Sequence, residues 1–280
     1  MKAQSLAICV SNKGCNKNCP YCISKLTGYD IANADLIERN TNKVVKLATT
    51  ASVSSVILTG KGEPLLNIDA IDYFGDKFVD FPIEVQTNGA LLLQNKRLIK
   101  TLYNCNVNVV AFSFDNIAQF EQFTEIIEGI QILGMVARVT FNVTDGYMSP
   151  EVATKIDLSD FITQCKQVGV SQLSFRNITI PHNFNSVCAT TEAWAAYSWI
   201  MGNTQKSFYY SLVHQLTALD ANLIRSLAFG AKVYDVDGIA VTYFDYCLQD
   251  NHKEEDIRSL IFGEDGHCYS TWNSKASILF

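Results

Sequence analysis

Cys15-Asn16-Lys17-Asn18-Cys19-Pro20-Tyr21-Cys22 follows a short apolar run, Leu6-Ala7-Ile8-Cys9-Val10, and a second apolar run ends in Gly60-Lys61-Gly62-Glu63-Pro64. Three thiolates bunched in one loop suit an iron–sulfur centre, because sulfur is a soft ligand and each cysteine can take a different iron of a [4Fe–4S] cubane. A fourth cysteine would close the last iron; three leave it open for a substrate or cofactor. The other reading is a structural zinc knuckle, but such sites are closed by four ligands supplied as short local pairs. Here the next cysteine is Cys105 and the first histidine is His182.

The spacing Cys-x3-Cys-x2-Cys, with aromatic Tyr21 before the last cysteine, resembles the cluster loop of the radical S-adenosylmethionine (SAM) superfamily. Leu58-Thr59-Gly60-Lys61-Gly62-Glu63-Pro64-Leu65-Leu66 resembles that family's Gly-Gly-Glu-Pro segment, in the variant with one residue between the glycines. The resemblance implies a [4Fe–4S] cluster on Cys15, Cys19 and Cys22, and an enzyme that cleaves SAM reductively to a 5′-deoxyadenosyl radical. That radical abstracts a hydrogen from a substrate. An external one-electron donor such as a flavodoxin or ferredoxin is implied as partner.

Length and composition agree with an intracellular enzyme. A chain of 280 residues, 48% hydrophobic, can bury one large core or a core with an appended module. Nine irregularly spaced cysteines, an odd number, argue against a disulfide framework and for a reducing, cytoplasmic compartment. No apolar run approaches the length of a membrane span, and Leu6–Val10 is too short for a signal-peptide core. A net charge of −6 gives no basic footprint for nucleic acid.

Apolar, β-rich runs alternate with helix-length segments, the pattern of βα units around a parallel sheet. Strands are expected at 5–11, 54–60, 82–87, 107–114, 137–143 and 171–178, and helices at 30–50, 67–76, 92–103, 117–133 and 150–168. Ile117, Phe120, Phe123, Ile126, Ile127 and Ile130 recur at spacings of three and four, an apolar helix face. Ser149-Pro150-Glu151 reads as a helix start. The expected fold class is α/β, a partial (β/α)6 TIM-like barrel over residues 1–183. A C-terminal α/β cap containing β-hairpins is expected over 184–280. In such barrels chemistry sits at the C-terminal strand ends, where both motifs and Gln86-Thr87-Asn88-Gly89 fall.

By resemblance, backbone atoms of Gly60, Lys61, Gly62, Glu63 and Pro64 meet the SAM methionine amino group, with Thr87 and Asn88 nearby. Glycines there let the backbone approach a ligand closely. Tyr21 is placed near adenine, and Ser113 and Asp115 near the ribose. Asn142 is a further pocket residue, and Arg176 is suited to the methionine carboxylate through two parallel hydrogen bonds. Ser113 as a core hydroxyl and Arg176 as a surface ion pair are the bland alternatives.

In the tail, Thr191–Met201 reads as a helix, and Phe208–Leu227 as holding a further one. Two Asp-Gly turns, Asp237-Gly238 and Asp265-Gly266, lie between strand-like runs. Cys188, Cys247 and Cys268, with His182, His214, His252 and His267, form no ligand spacing, so one cluster is expected. The expected substrate is a peptide or protein segment; a nucleotide or small metabolite is the alternative, and activation of a glycyl-radical enzyme a third. A non-catalytic iron–sulfur or zinc protein is the reading from a different class, against which the Gly60–Pro64 motif argues. No residue is assigned to the step on the substrate.

Overall fold

A computed structural model describes residues 2–10, 14–143, 157–181, 184–185, 187, 189–203, 207–227, 231–244, 257–272 and 274–280. The Ser149-Pro150-Glu151 helix start and Cys188, Cys247, His182 and His252 lie outside the described residues. The chain forms two compact units, one of residues 1–109, 180–197 and 248–280, the other of residues 110–179 and 198–247.

The first unit carries β1 (Ala3–Cys9), α1 (Ile23–Thr27), α2 (Ala34–Thr50), β2 (Ser55–Thr59), α3 (Ile68–Lys77) and β3 (Ile83–Thr87). Two helices, α4 (Ala90–Gln94) and α5 (Arg97–Asn104), follow, and β4 (Val107–Phe114) begins there. Its strands run in the order β11, β10, β1, β2, β3, where β10 is Ile257–Phe262 and β11 is Cys268–Tyr269. Leu6 pairs with Val56 on one side and Leu260 on the other, and Val56 pairs with Ile83, all parallel. These four side chains are fully buried, as expected of parallel strands covered on both faces.

The second unit holds the rest of β4, then α6 (Ile117–Glu121), α7 (Thr124–Ile132), β5 (Val136–Val143), α8 (Leu158–Gln167) and β6 (Gln172–Asn177). After α9 (Thr191–Asn203), which begins in the first unit, come α10 (Ser207–Ala218), β7 (Asn222–Ser226), β8 (Lys232–Val236) and β9 (Ile239–Phe244). Phe114, Phe120, Phe141, Phe161 and Phe175 are buried and meet ring to ring, Phe120 and Phe141 each edge-on to Phe161. Such pairs add about 0.5–1.5 kcal/mol each beyond their buried area.

All six expected strands form within two residues of the boundaries read from sequence, each with a helix after it among β1 to β5. Two expected helices are broken. Asn95 takes an extended conformation, φ −142° and ψ 92°, and its side-chain oxygen accepts the Arg97 N–H at 3.2 Å, so 92–103 becomes α4 and α5. The 117–133 segment breaks at Gln122 and Phe123, yet Phe120, Phe123, Ile126, Ile127 and Ile130 are all buried as their spacing requires.

The helix expected within 208–227 is α10, which fills only the first part of the segment. Asp220 takes a positive φ of 51° after α10, and Asn222–Ser226 pairs antiparallel with β8. Both Asp-Gly hairpins form, and each joins a parallel strand edge-on, β9 beside β6 and β10 beside β1. Among the described residues no helix is long and apolar enough to cross a membrane.

Candidate active site

The cysteine loop is organised by its own backbone. The Cys22 N–H donates to the Cys19 carbonyl at 3.2 Å, the Lys25 N–H donates to the Cys22 carbonyl at 3.1 Å, and α1 begins at once. Lys25 Nζ donates to the Cys19 carbonyl at 3.0 Å and to Asn18 Oδ1 at 2.6 Å, clasping the loop from the helix side. Cys15 is exposed, and Cys19 and Cys22 are half-buried. Partial burial pushes the Cys15 thiol up; the Lys17 N–H opposes this, while Glu63 and Cys22 add to it, so those three groups share one electrostatic neighbourhood.

The second motif is fastened to this loop and to the end of β3. The Glu63 N–H donates to the Gly14 carbonyl at 2.9 Å. Its carboxylate accepts Thr87 Oγ1 at 2.5 Å, the Leu65 N–H at 3.0 Å and the Asn88 N–H at 2.9 Å. Burial raises the Glu63 carboxyl, and these three donors counteract it. Asn88 Nδ2 in turn donates to Asn16 Oδ1 at 2.8 Å. The cysteine loop, Gly60–Pro64 and Thr87–Asn88 are therefore brought together within one unit.

Gly60 adopts a φ of 156°, which side-chain-bearing residues rarely take, and so turns the chain out of β2. Pro64 is buried in a short 3-10 turn that Glu63 caps, Tyr21 is buried, and Lys61 pairs with Asp30 at 3.4 Å.

The remaining pocket candidates lie in the second unit. Asn142 and Arg176 stand opposite each other in the β5–β6 register. Asn142 Nδ2 donates to Asp115 Oδ1 at 3.3 Å, and the Asp115 N–H donates to Gln119 Oε1 at 2.8 Å. Asp115 is buried, while Ser113, Asn142 and Arg176 are half-buried. Asp115, Asn142 and Arg176 thus mark the C-terminal ends of β4, β5 and β6, as the repeat pattern requires.

Among the described residues no group of three or more His, Cys, Asp or Glu converges on a single metal-ion position. Three thiols within one eight-residue loop suit a cubane, in which each sulfur meets a different iron. Cys268 is buried in the tail, and burial pushes its thiol up to about 12.

Sequence reading missed one cluster of charges. Asp30 meets Lys275 at 2.7 Å as well as Lys61, and Asp265 meets Lys275 at 3.0 Å. Lys61 in the second motif and the turn signal around Asp265-Gly266 pointed near it, but not to the pairing, because Asp30, Lys61 and Lys275 are far apart along the chain.

Comparison with known proteins gives a consistent result. Residues 10–146 match the family model of the radical SAM superfamily. GTP 3′,8-cyclase of Clostridium acetobutylicum is 34% identical over 133 residues, covering 45% of this chain and 41% of that protein. The 7-carboxy-7-deazaguanine synthase of the same organism is 31% identical over 98 residues, covering 34% of this chain and 42% of that one.

Among solved structures, Streptococcus suis SuiB bound to its precursor peptide SuiA aligns with a TM-score of 0.59 at 14% identity, over 96% of this chain and 59% of that one. SuiB bound to S-adenosylmethionine aligns with a TM-score of 0.59 at 13% identity, over 97% of this chain and 60% of that one. The chain spans less than half the length of these curated relatives and about 60% of SuiB. The likeness to SuiB is one of fold, an open partial barrel of α/β class. With its cysteine loop and second motif joined through Glu63, the segment 10–146 carries the radical SAM superfamily's domain, whose members are enzymes that use a [4Fe–4S] cluster and SAM.

Proposed function

We propose that Cys15, Cys19 and Cys22 hold three irons of the cluster and that Gly60–Pro64, Thr87 and Asn88 form the adjoining wall of the SAM site. The observation that carries this is the Glu63 carboxylate, whose three hydrogen bonds lock Leu65, Thr87 and Asn88 beside the cysteine loop. When bound, cluster and SAM supply reductive cleavage of the sulfonium to a 5′-deoxyadenosyl radical that takes a hydrogen atom from the substrate.

The chain's own task is orientation. Glu63 spends its oxygens on the chain and acts as a positioning residue, while Asn88 steadies the loop through Asn16. In the second unit, Ser113, Asp115, Asn142 and Arg176 are the proposed ribose and methionine contacts, with Asn142 held by Asp115. A small electron-transfer protein of flavodoxin or ferredoxin type is the proposed reductant.

The proposed substrate is a peptide or protein segment, with residues after 184 shaping its side of the site. Support comes from the alignment of nearly the whole chain, tail included, with a fold neighbour solved with its precursor peptide. A nucleotide or small metabolite is the second reading, favoured by the two curated relatives, one named for GTP and the other for making 7-carboxy-7-deazaguanine.

The test is 5′-deoxyadenosine formation by the anaerobically reconstituted, reduced protein given SAM, with the triple Ala variant of Cys15, Cys19 and Cys22 as control. Product from the wild type alone supports the reading. A protein that binds neither iron nor SAM overturns it.

A further inference from the structure

A cleft of about 440 Å³ opens beside the cysteine loop, within the first unit. Its wall includes Lys25, Asp30, Lys61 and Lys275, with Phe184 and Trp272 as its aromatic surfaces. Lys25 is the same side chain that clasps Asn18 and Cys19, so the cleft begins where the cluster loop ends. Lys61 belongs to the second motif. The volume falls in the range of about 300–1,000 Å³ usual for binding pockets.

The charges are arranged around one carboxylate. Asp30 Oδ1 meets Lys275 Nζ at 2.7 Å and Asp30 Oδ2 meets Lys61 Nζ at 3.4 Å, one oxygen to each ammonium. Lys275 is further held by Asp265 at 3.0 Å and stands over the Tyr269 ring, 4.6 Å from its centroid. It keeps its place without Asp30. Asp30 itself lies in the connection between α1 and α2, outside helix and strand, flanked by Tyr29 and Ile31, whose side chains are 58% and 89% exposed. Lys275, held independently, and Lys61 therefore grip a carboxylate supplied by a loop whose residues on either side are exposed.

We propose that this cleft recognises the substrate, that it takes an acidic peptide segment, and that a substrate carboxylate replaces Asp30 between Lys61 and Lys275. The proposal rests on the peptide reading above and names the chemistry of that peptide. Exchanging one carboxylate for another leaves the charge balance of the cleft unchanged, so the lysines stay neutralised throughout. Phe184 and Trp272 offer an apolar surface for the neighbouring residue of the segment. Asp30 itself shows that the pair accepts a carboxylate, one oxygen to each ammonium.

The test uses the reconstituted protein with fluorescein-labelled hexaglutamate, hexaglutamine as control, and GTP as competitor, read by fluorescence anisotropy. Hexaglutamate should bind and hexaglutamine should not, against the repulsion expected from a chain of net charge −6. Lys275→Met should weaken hexaglutamate binding by about tenfold or more, Lys275→Arg should restore most of it, and Asp30→Ala should tighten it severalfold. Equal binding of both peptides, binding of neither, or weaker binding by Asp30→Ala overturns the proposal. So does displacement by GTP at lower concentration than unlabelled hexaglutamate, which would give the cleft to a nucleotide. Substrate-free 5′-deoxyadenosine formation, iron content and SAM binding are measured on the same wild-type protein. A wild type that binds neither iron nor SAM would defeat the radical SAM reading, whereas 5′-deoxyadenosine formation without peptide binding would defeat the cleft alone.

Discussion

Thr87 Oγ1 donates to the Glu63 carboxylate at 2.5 Å, joining the end of β3 to the segment that follows β2. The contact is buried, with Glu63 only 2% and Thr87 only 3% exposed. It makes two loops that diverge in sequence into one rigid wall, because the same carboxylate also takes two backbone N–H groups that would otherwise lack partners.

Glu63→Gln should therefore cost about 1–3 kcal/mol of stability, since an amide NH2 would face one of the buried donors. Glu63→Ala should cost more. Both should lower SAM affinity while leaving iron content near wild type, as urea unfolding, calorimetric SAM titration and iron analysis would show. Unchanged SAM affinity in both variants would remove Glu63 from the site.

Each of Cys15→Ala, Cys19→Ala and Cys22→Ala should abolish 5′-deoxyadenosine formation and sharply reduce bound iron. Cys268→Ala should leave iron content unchanged, because that thiol is buried in the tail. Full activity in any one of the first three would refute the cluster assignment.

Asp115 and Asn142 should be coupled, since Asn142 Nδ2 donates to Asp115 Oδ1. Asp115→Ala and Asn142→Ala should each weaken SAM binding severalfold, and the double variant should lose less than the sum, by about 0.5–1 kcal/mol. Strict additivity in the titrations would show that the pair does not act together.

The Asp265 carboxyl carries a pH signature. Burial alone would raise it, but hydrogen bonds from Tyr269 and Lys275 and from the His267 N–H outweigh burial and hold it below the usual carboxylate range. Its contribution is therefore complete above the unfolded-state value of 3.8 and is lost as pH falls through the lower folded value. Asp265→Asn should flatten the acid limb of a stability–pH profile and cost up to about 1 kcal/mol near neutrality, the scale of a partly exposed pair. An acid limb identical to wild type would count against this.

The repeat of strands and helices was readable because its signals are local: buried parallel strands are continuous apolar runs, and helices show their spacing within a few turns. The cysteine loop and the Gly60–Pro64 segment were readable for a similar reason, since backbone turns and ligand spacing constrain neighbouring residues. Asn95 and Asp220 mark where that reading was too simple. Each interrupts an otherwise helical stretch through its own backbone conformation, one extended and one left-handed, which residue periodicity does not encode.

Long-range pairing belonged to the tertiary structure. Nothing in Ile257–Phe262 announces that it will lie parallel to Ala3–Cys9, because parallel register arises from packing against a strand supplied from the far end of the chain. That pairing gives the tail hairpin its place in the first unit, where Lys275 reaches Asp30 and Lys61. Residue order alone shows the spacing of the three cysteines in their loop. The charge arrangement beside it exists only after folding, because electrostatic partners are chosen by distance in space and not by separation along the chain.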